Sequence, residues 1–552
     1  MKVLHFAEIY AFMLKERGIF HEQAEEFLNP NYSKLHNPLL LSDMEKARDR
    51  VIKAINDKEH IVVFSDYDAD GIPGAVVMAD FFKRINYENV SFYIPHRHDE
   101  GFGLNKEAVK EIKERGAKLM ITVDCGTADH NEVKQAQKAG IDVIITDHHE
   151  SDEIPKAFAV VNPKRKDSSY PFKELCGAGL AYKLVQAILD KERFGVKEGM
   201  EKWSLDMVAI ATLSDMVPLV DENRILAKFG LNVLRKSPRP GLSALFRIMK
   251  MDQDNLTEDD VAFMITPRIN AASRMGVPMD AFNLLSTTNQ LEAEKYAIHL
   301  EQINNERKGI VAQLVKDARH KLSTRQDTPA VIVIGNPDWK PSLLGLVANS
   351  LVEDYLRPVF VWGRDGDGII KGSCRSYDGI DLFELMKGAK QAFTEFGGHA
   401  GAGGFSASLE QIGVLEEKLS TVVGKHSMLK DSKTSNVEET KIKIQIEDVG
   451  ENLWATIAPF APFGMGNPKP VFYIKNAEIK SAKNFGKKGD HLEIIFKIKE
   501  GRSIKAIQFF TTIEDQKIPL TAGHKISLSV HLEKSYFMNR PEVRLRILEI
   551  GL

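Results

Sequence analysis

Between residues 51 and 175 short apolar runs alternate with longer, charged stretches of helical spacing. The runs fall at 61–64, 90–94, 119–123, 143–145 and 158–161. Strand-length apolar runs separated by helix-length segments predict βαβ units and a mostly parallel sheet buried on both faces. Before them, residues 1–50 have a helical pattern that Asn29, Pro30 and Pro38 interrupt. After them, residues 176–325 read mainly as helix. The stretch 290–322 contains no proline and places Tyr296, Leu300, Ile303, Ile310 and Leu314 at three-, four- and seven-residue spacings. A polar helix of this length is expected to bridge two domains.

Strand-like runs return at 330–334 and 358–362 and predict a second, smaller α/β domain ending near 425. Residues 426–440 are polar, carry no apolar period and read as a linker. Short β-like stretches follow at 441–446, 471–474, 492–498, 504–510, 525–531 and 542–550, the pattern of a small barrel of the OB type. The expected fold is therefore α/β with a C-terminal β-barrel. Its parts are a helical lead-in (1–50), a parallel-sheet domain (51–235), a helical connector with a long interdomain helix (236–325), the smaller α/β domain (326–425), the linker (426–440) and the OB-fold (441–552).

A chain of 552 residues exceeds one hydrophobic core. Its 43% hydrophobic and 27% charged content is ordinary for a globular protein. No apolar run approaches the ~20 residues that span a bilayer, so no membrane partner is expected. The N-terminus lacks a small-residue cleavage site and reads as a first helix rather than a signal peptide. Cys125, Cys176 and Cys374 are far apart and form no CxxC pair, which argues against structural zinc and fits a reducing cytoplasm. With a net charge of −3, any nucleic-acid surface has to be local.

The candidate chemistry follows the predicted strands. After 61–64 comes Asp66-Tyr67-Asp68-Ala69-Asp70-Gly71; after 119–123, Asp124-Cys125-Gly126; after 143–145, Thr146-Asp147-His148-His149. Asp215 ends the apolar stretch 207–213 as a fourth contribution. A lone Asp after a strand is a turn former or helix cap. A calcium loop at 66–71 is disfavoured, because Val77 stands where that loop needs Glu. In a parallel sheet, however, ligands gather outside the carboxyl ends of the strands, so these groups converge on one crevice. Several carboxylates there would repel each other and take up protons unless divalent cations sit among them. Oxygen ligands with a little imidazole suit two Mn²⁺ or Mg²⁺ ions better than zinc, in an arrangement fit for phosphoryl transfer.

DYDADG, DCG, TDHH and SD, in this order, resemble the four metal-binding motifs of the DHH phosphoesterase superfamily. Nearly the whole chain is similar to the RecJ branch, the single-strand-specific 5′→3′ exonucleases. The likeness lies in Arg17-Gly18, Phe27-Leu28-Asn29-Pro30 and Met44, in PHRHDEGFG (95–103), PRINAASRM (267–275), GSCRS (372–376), GGHAGAGG (397–404) and PFGMGNP (462–468). The last three resemble a DHH-associated domain and the entry to a RecJ OB-fold. The resemblance implies that Asp68, Asp70, Asp124, His148 and Asp215 bind the metals, with Asp124 as the bridge and Asp66 orienting its neighbours. It implies that His149 contacts the scissile phosphate, that Arg97, Ser373 and Arg375 bind the terminal 5′ phosphate, and that Phe102 stacks on a base. His399 would touch a substrate phosphate and Arg274 would face the cleft. The chain departs from the pattern at Ser273, expected as Gly, and at Lys340 and Ser342, expected as His and Gly.

The metal site alone would serve several reactions, among them hydrolysis of short oligoribonucleotides or cyclic dinucleotides. An OB-fold discriminates, because it binds single strands through stacking aromatics and a basic groove. Lys483, Phe485, Lys487, Lys488 and His491 form one candidate loop, and Tyr536, Phe537 and Arg540 another; a solvated hairpin tip is the alternative for both. A non-catalytic binding module is disfavoured, since every ligand position is filled. The resemblance points to degradation of single-stranded DNA to mononucleotides in DNA repair and recombination. It also points to a cytoplasmic monomer, with a helicase and a single-strand-binding protein as candidate partners.

Overall fold

The computed structural model describes residues 5–325, 327, 329–366, 368–425, 441–486, 488–498, 501–536 and 541–551. The expected linker 426–440, together with Lys487, Phe537 and Arg540, lies outside the described residues.

The first sheet contains β1 (Ile61–Ser65), β2 (Val90–Tyr93), β3 (Leu119–Val123), β4 (Asp142–Thr146) and β5 (Ala159–Val161). All pair in parallel, in the order β2-β1-β3-β4-β5. Every residue of β1 and β3 is buried, which is why these strands read as unbroken apolar runs. Val63 and Ile121 face one core, Val62 and Met120 the other. The winding reverses between β1 and β3, and a crevice opens there at the carboxyl ends.

The helix Met44–Asn56 runs across the expected boundary at 50 and packs Met44, Ala47 and Val51 into this first core. The two helices before it go elsewhere. Ile9, Met13 and Leu14 of Phe6–Glu16, with Ala24 and Leu28 of His21–Leu28, join the core of the C-terminal barrel.

The long helix is Gln290–Ser323, 34 residues. Ala293, Ala297, Leu300 and Ile303 pack into the first domain, and Leu314, Val315, Ala318 and Leu322 into the second. Each fully buried aliphatic side chain stabilises by about 1.5–3 kcal/mol, so both ends of the helix are firmly seated.

The second sheet contains β6 (Ile332–Gly335), β7 (Val359–Arg364), β8 (Ile370–Arg375), β9 (Glu395–Gly398) and β10 (Ala402–Ala407), ordered β6-β7-β8-β10-β9. Only β6–β7 is parallel; the other pairs are antiparallel.

The C-terminal strands are β11 (Ile442–Ile444), β12 (Phe472–Phe485), β13 (His491–Lys497), β14 (Ser503–Gln508), β15 (Lys525–Ser535) and β16 (Glu542–Gly551). The order β12-β13-β14-β16-β15 closes on itself because β12 pairs with both β13 and β15, giving the five-stranded OB barrel. A hydrogen-bonded loop docks this barrel beside the first domain. Asn467 is fully buried; its Nδ2 donates to the carbonyls of Phe460 (2.8 Å) and Pro462 (2.7 Å), and its Oδ1 accepts from Arg17 Nε at 2.6 Å. The same loop accepts a hydrogen bond from Leu219 N at Met465 O, 2.7 Å, a few residues past Asp215. Among the described residues no helix is long and apolar enough to cross a membrane.

Candidate metal centre and substrate cleft

Three loops leave the sheet in register. Ser65, Val123 and Thr146 are aligned partners at the ends of β1, β3 and β4. The ladder continues one residue further, with Asp66 N donating to Val123 O, Asp124 N to Thr146 O and Asp147 N to Val161 O, at 3.1, 2.9 and 3.2 Å. Asp66, Asp124 and Asp147 thus stand side by side. Asp215 arrives from another direction, at the C-terminal end of the helix Leu205–Ser214.

Two glycines let the surrounding backbone close in. A Cβ at Gly71 would meet Asp66 O at 2.5 Å, and one at Gly177 would meet the Asp124 Cβ at 2.5 Å. Gly177 and Ala178 open the helix Gly177–Lys191, and their N–H groups donate to Asp70 at 2.6 and 2.8 Å. A helix N-terminus therefore holds that carboxylate. Asp68 Oδ1 accepts from Asp70 N (2.8 Å) and Gly71 N (3.1 Å), capping the helix Gly71–Arg84.

The side chains fall into trios whose ligand atoms lie within 4.8 Å of one another: Asp70, His148 and Asp215; Asp66, Asp68 and Asp124; and Asp124, His148 and His149. His148 Nε2 is 3.1 Å from Asp124 Oδ1 and 3.7 Å from both Asp70 Oδ2 and Asp215 Oδ2. Asp66 Oδ1 and Asp124 Oδ1 are buried and accept no hydrogen bond among the described residues. Burial and then mutual repulsion push the Asp66 and Asp124 carboxyls well up, Asp70 to about 6 and Asp215 to about 8. Burial lowers His148 to about 3, leaving a neutral imidazole able to donate a lone pair. Orphaned carboxylate oxygens, raised acids and a neutral imidazole form a donor set that fits two divalent cations.

His149 is different. Burial opposes its protonation, but the hydrogen bond from Nδ1 to Asp147 Oδ1 (2.7 Å) and that carboxylate's charge outweigh it and lift His149 to about 9. Asp147 in turn is held by Thr127 N at 2.9 Å. Its role was not legible in the sequence, where it reads only as part of TDHH.

Asp66, Asp68, Asp124, His148, His149 and Asp215 line a cavity of about 260 Å³ shared with Tyr67, Arg97, Phe102, Asn270 and Arg274. Asn270, to which the sequence reading gave no role although its motif was recognised, accepts from Ala69 N at 2.9 Å and braces the loop that carries Asp68 and Asp70. The Arg97 guanidinium lies 5.0 Å over the Tyr67 ring. Arg274 Nη1 donates to Ser342 O at 2.9 Å, and Ser342 Oγ returns a bond to Arg274 O at 3.1 Å. Ser342, expected as Gly, thus ties the two domains through a hydroxyl that glycine lacks. Burial, with Arg97, Arg307 and Arg375 nearby, lowers Arg274 to about 9. Arg307, which the sequence reading did not select, has a buried Nε with no hydrogen-bond partner among the described residues. None of these four arginines forms an ion pair among the described residues. Such a cluster is a seat for an anion.

Phe102 is 54% exposed and meets the His149 ring edge-on, centroids 5.4 Å apart. Arg375 Nη1 bonds Ser373 Oγ at 3.1 Å on β8. His399 is exposed in the loop joining β9 to β10, outside the cavity lining. On the barrel, Lys483 is ion-paired with Glu493 at 3.0 Å, Lys488 is exposed, and Phe485 is half-buried against His491. Among the described residues the most exposed ring there is Phe510, at 84%, edge-on to His491.

Comparison with known proteins agrees with this architecture. Residues 60–212 match the DHH family, N-terminal domain; residues 301–425 match the DHHA1 domain; residues 440–549 match the RecJ OB domain. The chain is 34% identical, over 99% of its length and 68% of the relative's, to the Single-stranded-DNA-specific exonuclease RecJ of Bacillus subtilis (strain 168). It is 29% identical to the protein of the same name from Haemophilus influenzae, covering 96% of this chain and 94% of that one. The crystal structure of RecJ in complex with Mn²⁺ from Thermus thermophilus superposes with a TM-score of 0.77 at 25% identity, covering 98% of this chain and 76% of that one. The chain belongs to the RecJ family.

Proposed function

We propose that this protein is a 5′→3′ exonuclease that degrades single-stranded DNA to mononucleotides by two-metal phosphodiester hydrolysis, in DNA repair and recombination. The observation that carries the reading is the position of Asp124. It belongs to two of the three metal-compatible trios, lies 3.1 Å from His148 of the third, and sits in a cavity shared with Arg97 and Arg274. The names of the relatives support the substrate and the exonucleolytic mode.

Asp70, His148 and Asp215 would hold one cation and Asp66 and Asp68 the other, with Asp124 available to both. Asp66 is then a ligand as well as an orienting group. A bound pair of Mn²⁺ or Mg²⁺ would supply an activated water and would offset the charge gathering at phosphorus. His149, kept cationic by Asp147, donates to a non-bridging oxygen of the scissile phosphate, where negative charge develops. Arg97, Ser373 and Arg375 grip the terminal phosphate, Arg274 faces it from the cleft wall, and Phe102 stacks on a nearby base. His399 takes a further phosphate from the second domain. Beyond the cleft, Phe485, Lys483, Lys488 and the exposed Phe510 carry the strand over the barrel. A cleft between two domains admits a single strand and excludes a duplex of twice the width. The reading extends to a cytoplasmic monomer acting where a helicase opens DNA and a single-strand-binding protein covers it.

Hydrolysis of short oligoribonucleotides or cyclic dinucleotides is the second reading, supported by the metal site but not by the barrel. End-labelled strands of both polarities, digested with Mn²⁺ and with chelator, test the choice. Release of mononucleotides from the 5′ end of single-stranded DNA, abolished by chelator, is expected. Faster turnover of a cyclic dinucleotide than of DNA would overturn the reading.

A further inference from the structure

Asp129 closes the loop that leads from Asp124 at the end of β3 into the helix His130–Lys138. It occupies the N-cap position, where a carboxylate normally accepts an N–H of the first helical turn. Its side chain makes no such bond. Instead, Oδ2 accepts from the backbone N–H of Leu104 at 2.7 Å. Gly103 is pressed against the same group: a Cβ there would lie 2.7 Å from Asp129 Oδ2, at a φ of +79°. The Leu104 side chain is buried in the core beneath.

Phe102 precedes this contact and is flanked by Gly101 and Gly103, both at positive φ. Two glycines give the ring no restraint of its own, so its position depends on anchors on either side. Glu100 fixes the entry, accepting from Tyr93 OH and His96 N, each at 2.6 Å. Asp129 fixes the exit. The loop that ends in Asp129 also carries Thr127, which holds Asp147 and through it His149. A single loop leaving the sheet at Asp124 therefore sets both the imidazole and the aromatic ring that meet edge-on at the cavity mouth.

We propose that Asp129 is a positioning residue for base recognition: its bond to Leu104 N–H holds Phe102 where the ring stacks on a nucleotide near the cut. This rests on the exonuclease reading given above. The test is steady-state digestion of a 5′-phosphorylated single-stranded oligonucleotide with Mn²⁺, either intact or with an abasic site at the first, second or third nucleotide. The wild type should show a KM raised about fivefold or more at the position that Phe102 stacks. Asp129→Ser places a residue favoured at a helix N-cap there but cannot reach Leu104. It should raise KM on the intact strand by a similar factor, abolish the abasic discrimination and leave kcat within about twofold. Asp129→Asn retains a carbonyl acceptor and should keep the discrimination. Combining Asp129→Ser with Phe102→Ala should be no worse than Phe102→Ala alone, as for two groups acting through one contact. Full abasic discrimination in Asp129→Ser, additive losses in the double variant, or no discrimination by wild type at any of these positions would overturn the proposal. A wild type that does not digest the intact strand would instead refute the exonuclease reading.

Discussion

His148 and Asp124 face each other across the ends of β3 and β4, with Nε2 and Oδ1 3.1 Å apart. This contact joins the trio of Asp70, His148 and Asp215 to that of Asp66, Asp68 and Asp124. Asp124 holds it from the left-handed region, at φ +62°. Asn tolerates that conformation well, so Asp124→Asn removes the charge without disturbing the backbone. Its kcat should fall by at least about 10²–10³, the range for losing one electrostatic contact at a transition state. Retention of more than a tenth of wild-type kcat, with an unchanged melting temperature, would contradict the bridging role.

Stability without metal should depend on pH. Burial first, and neighbouring carboxylates second, lift Asp70 to about 6 and Asp215 to about 8 in the folded chain. The unfolded values are about 3.9, so between about pH 4 and 8 the folded state binds more protons and loses stability as pH rises. In chelator the melting temperature should therefore drop from pH 5.5 to pH 8.5. Adding Mn²⁺ should raise it more at the higher pH. Equal Mn²⁺ shifts at both pH values would count against a shared acidic site.

Asp147→Asn tests the charge on His149. Burial disfavours the imidazolium, while the Asp147 bond and charge raise its pKa to about 9, so the wild-type ring is cationic below that value. Without the carboxylate the pKa drops, and the charge is lost at a lower pH. The ratio of variant to wild-type kcat should fall as pH rises from 6 to 8.5. A pH-independent ratio would show that Asp147 acts only as scaffold.

Arg97→Ala should raise KM about tenfold or more for 5′-phosphorylated ends, the effect of removing a charge-assisted hydrogen bond. Ends with a 5′ hydroxyl should change little. Equal effects on both would reject the terminal-phosphate assignment.

Asn467→Ala should destabilise the protein by about 2–3 kcal/mol, since it leaves the Phe460 and Pro462 carbonyls and Arg17 Nε without their partner. Denaturant unfolding measures this. Turnover of trinucleotides should be retained, because none of these groups enters the cavity.

The buried strands β1, β3 and β4 were readable because parallel strands covered on both faces leave uninterrupted apolar runs. Their acidic ends could be placed together for the same reason. β8, β9 and β10 left no such trace: Gly372, Gly397, Gly398, Gly403 and Gly404 occupy positions where apolar side chains would have marked them. Nor could the sequence tell that Ile9 and Met13 pack with Phe472 and Leu528, because that partnership is purely tertiary. Asp147 and Asp129 resemble ordinary turn carboxylates, and only their hydrogen bonds distinguish them. Phe510 closes the predicted stretch 504–510, whereas the strand itself ends at Gln508 and leaves the ring exposed.

The Gln290–Ser323 helix runs unbroken from one core to the other. Arg97 stands on the side of one core and Arg375 on the side of the other, so a single helix spans the two walls that carry them. If a single strand threads between those walls, as proposed, their spacing would be set by one uninterrupted element rather than by a loop.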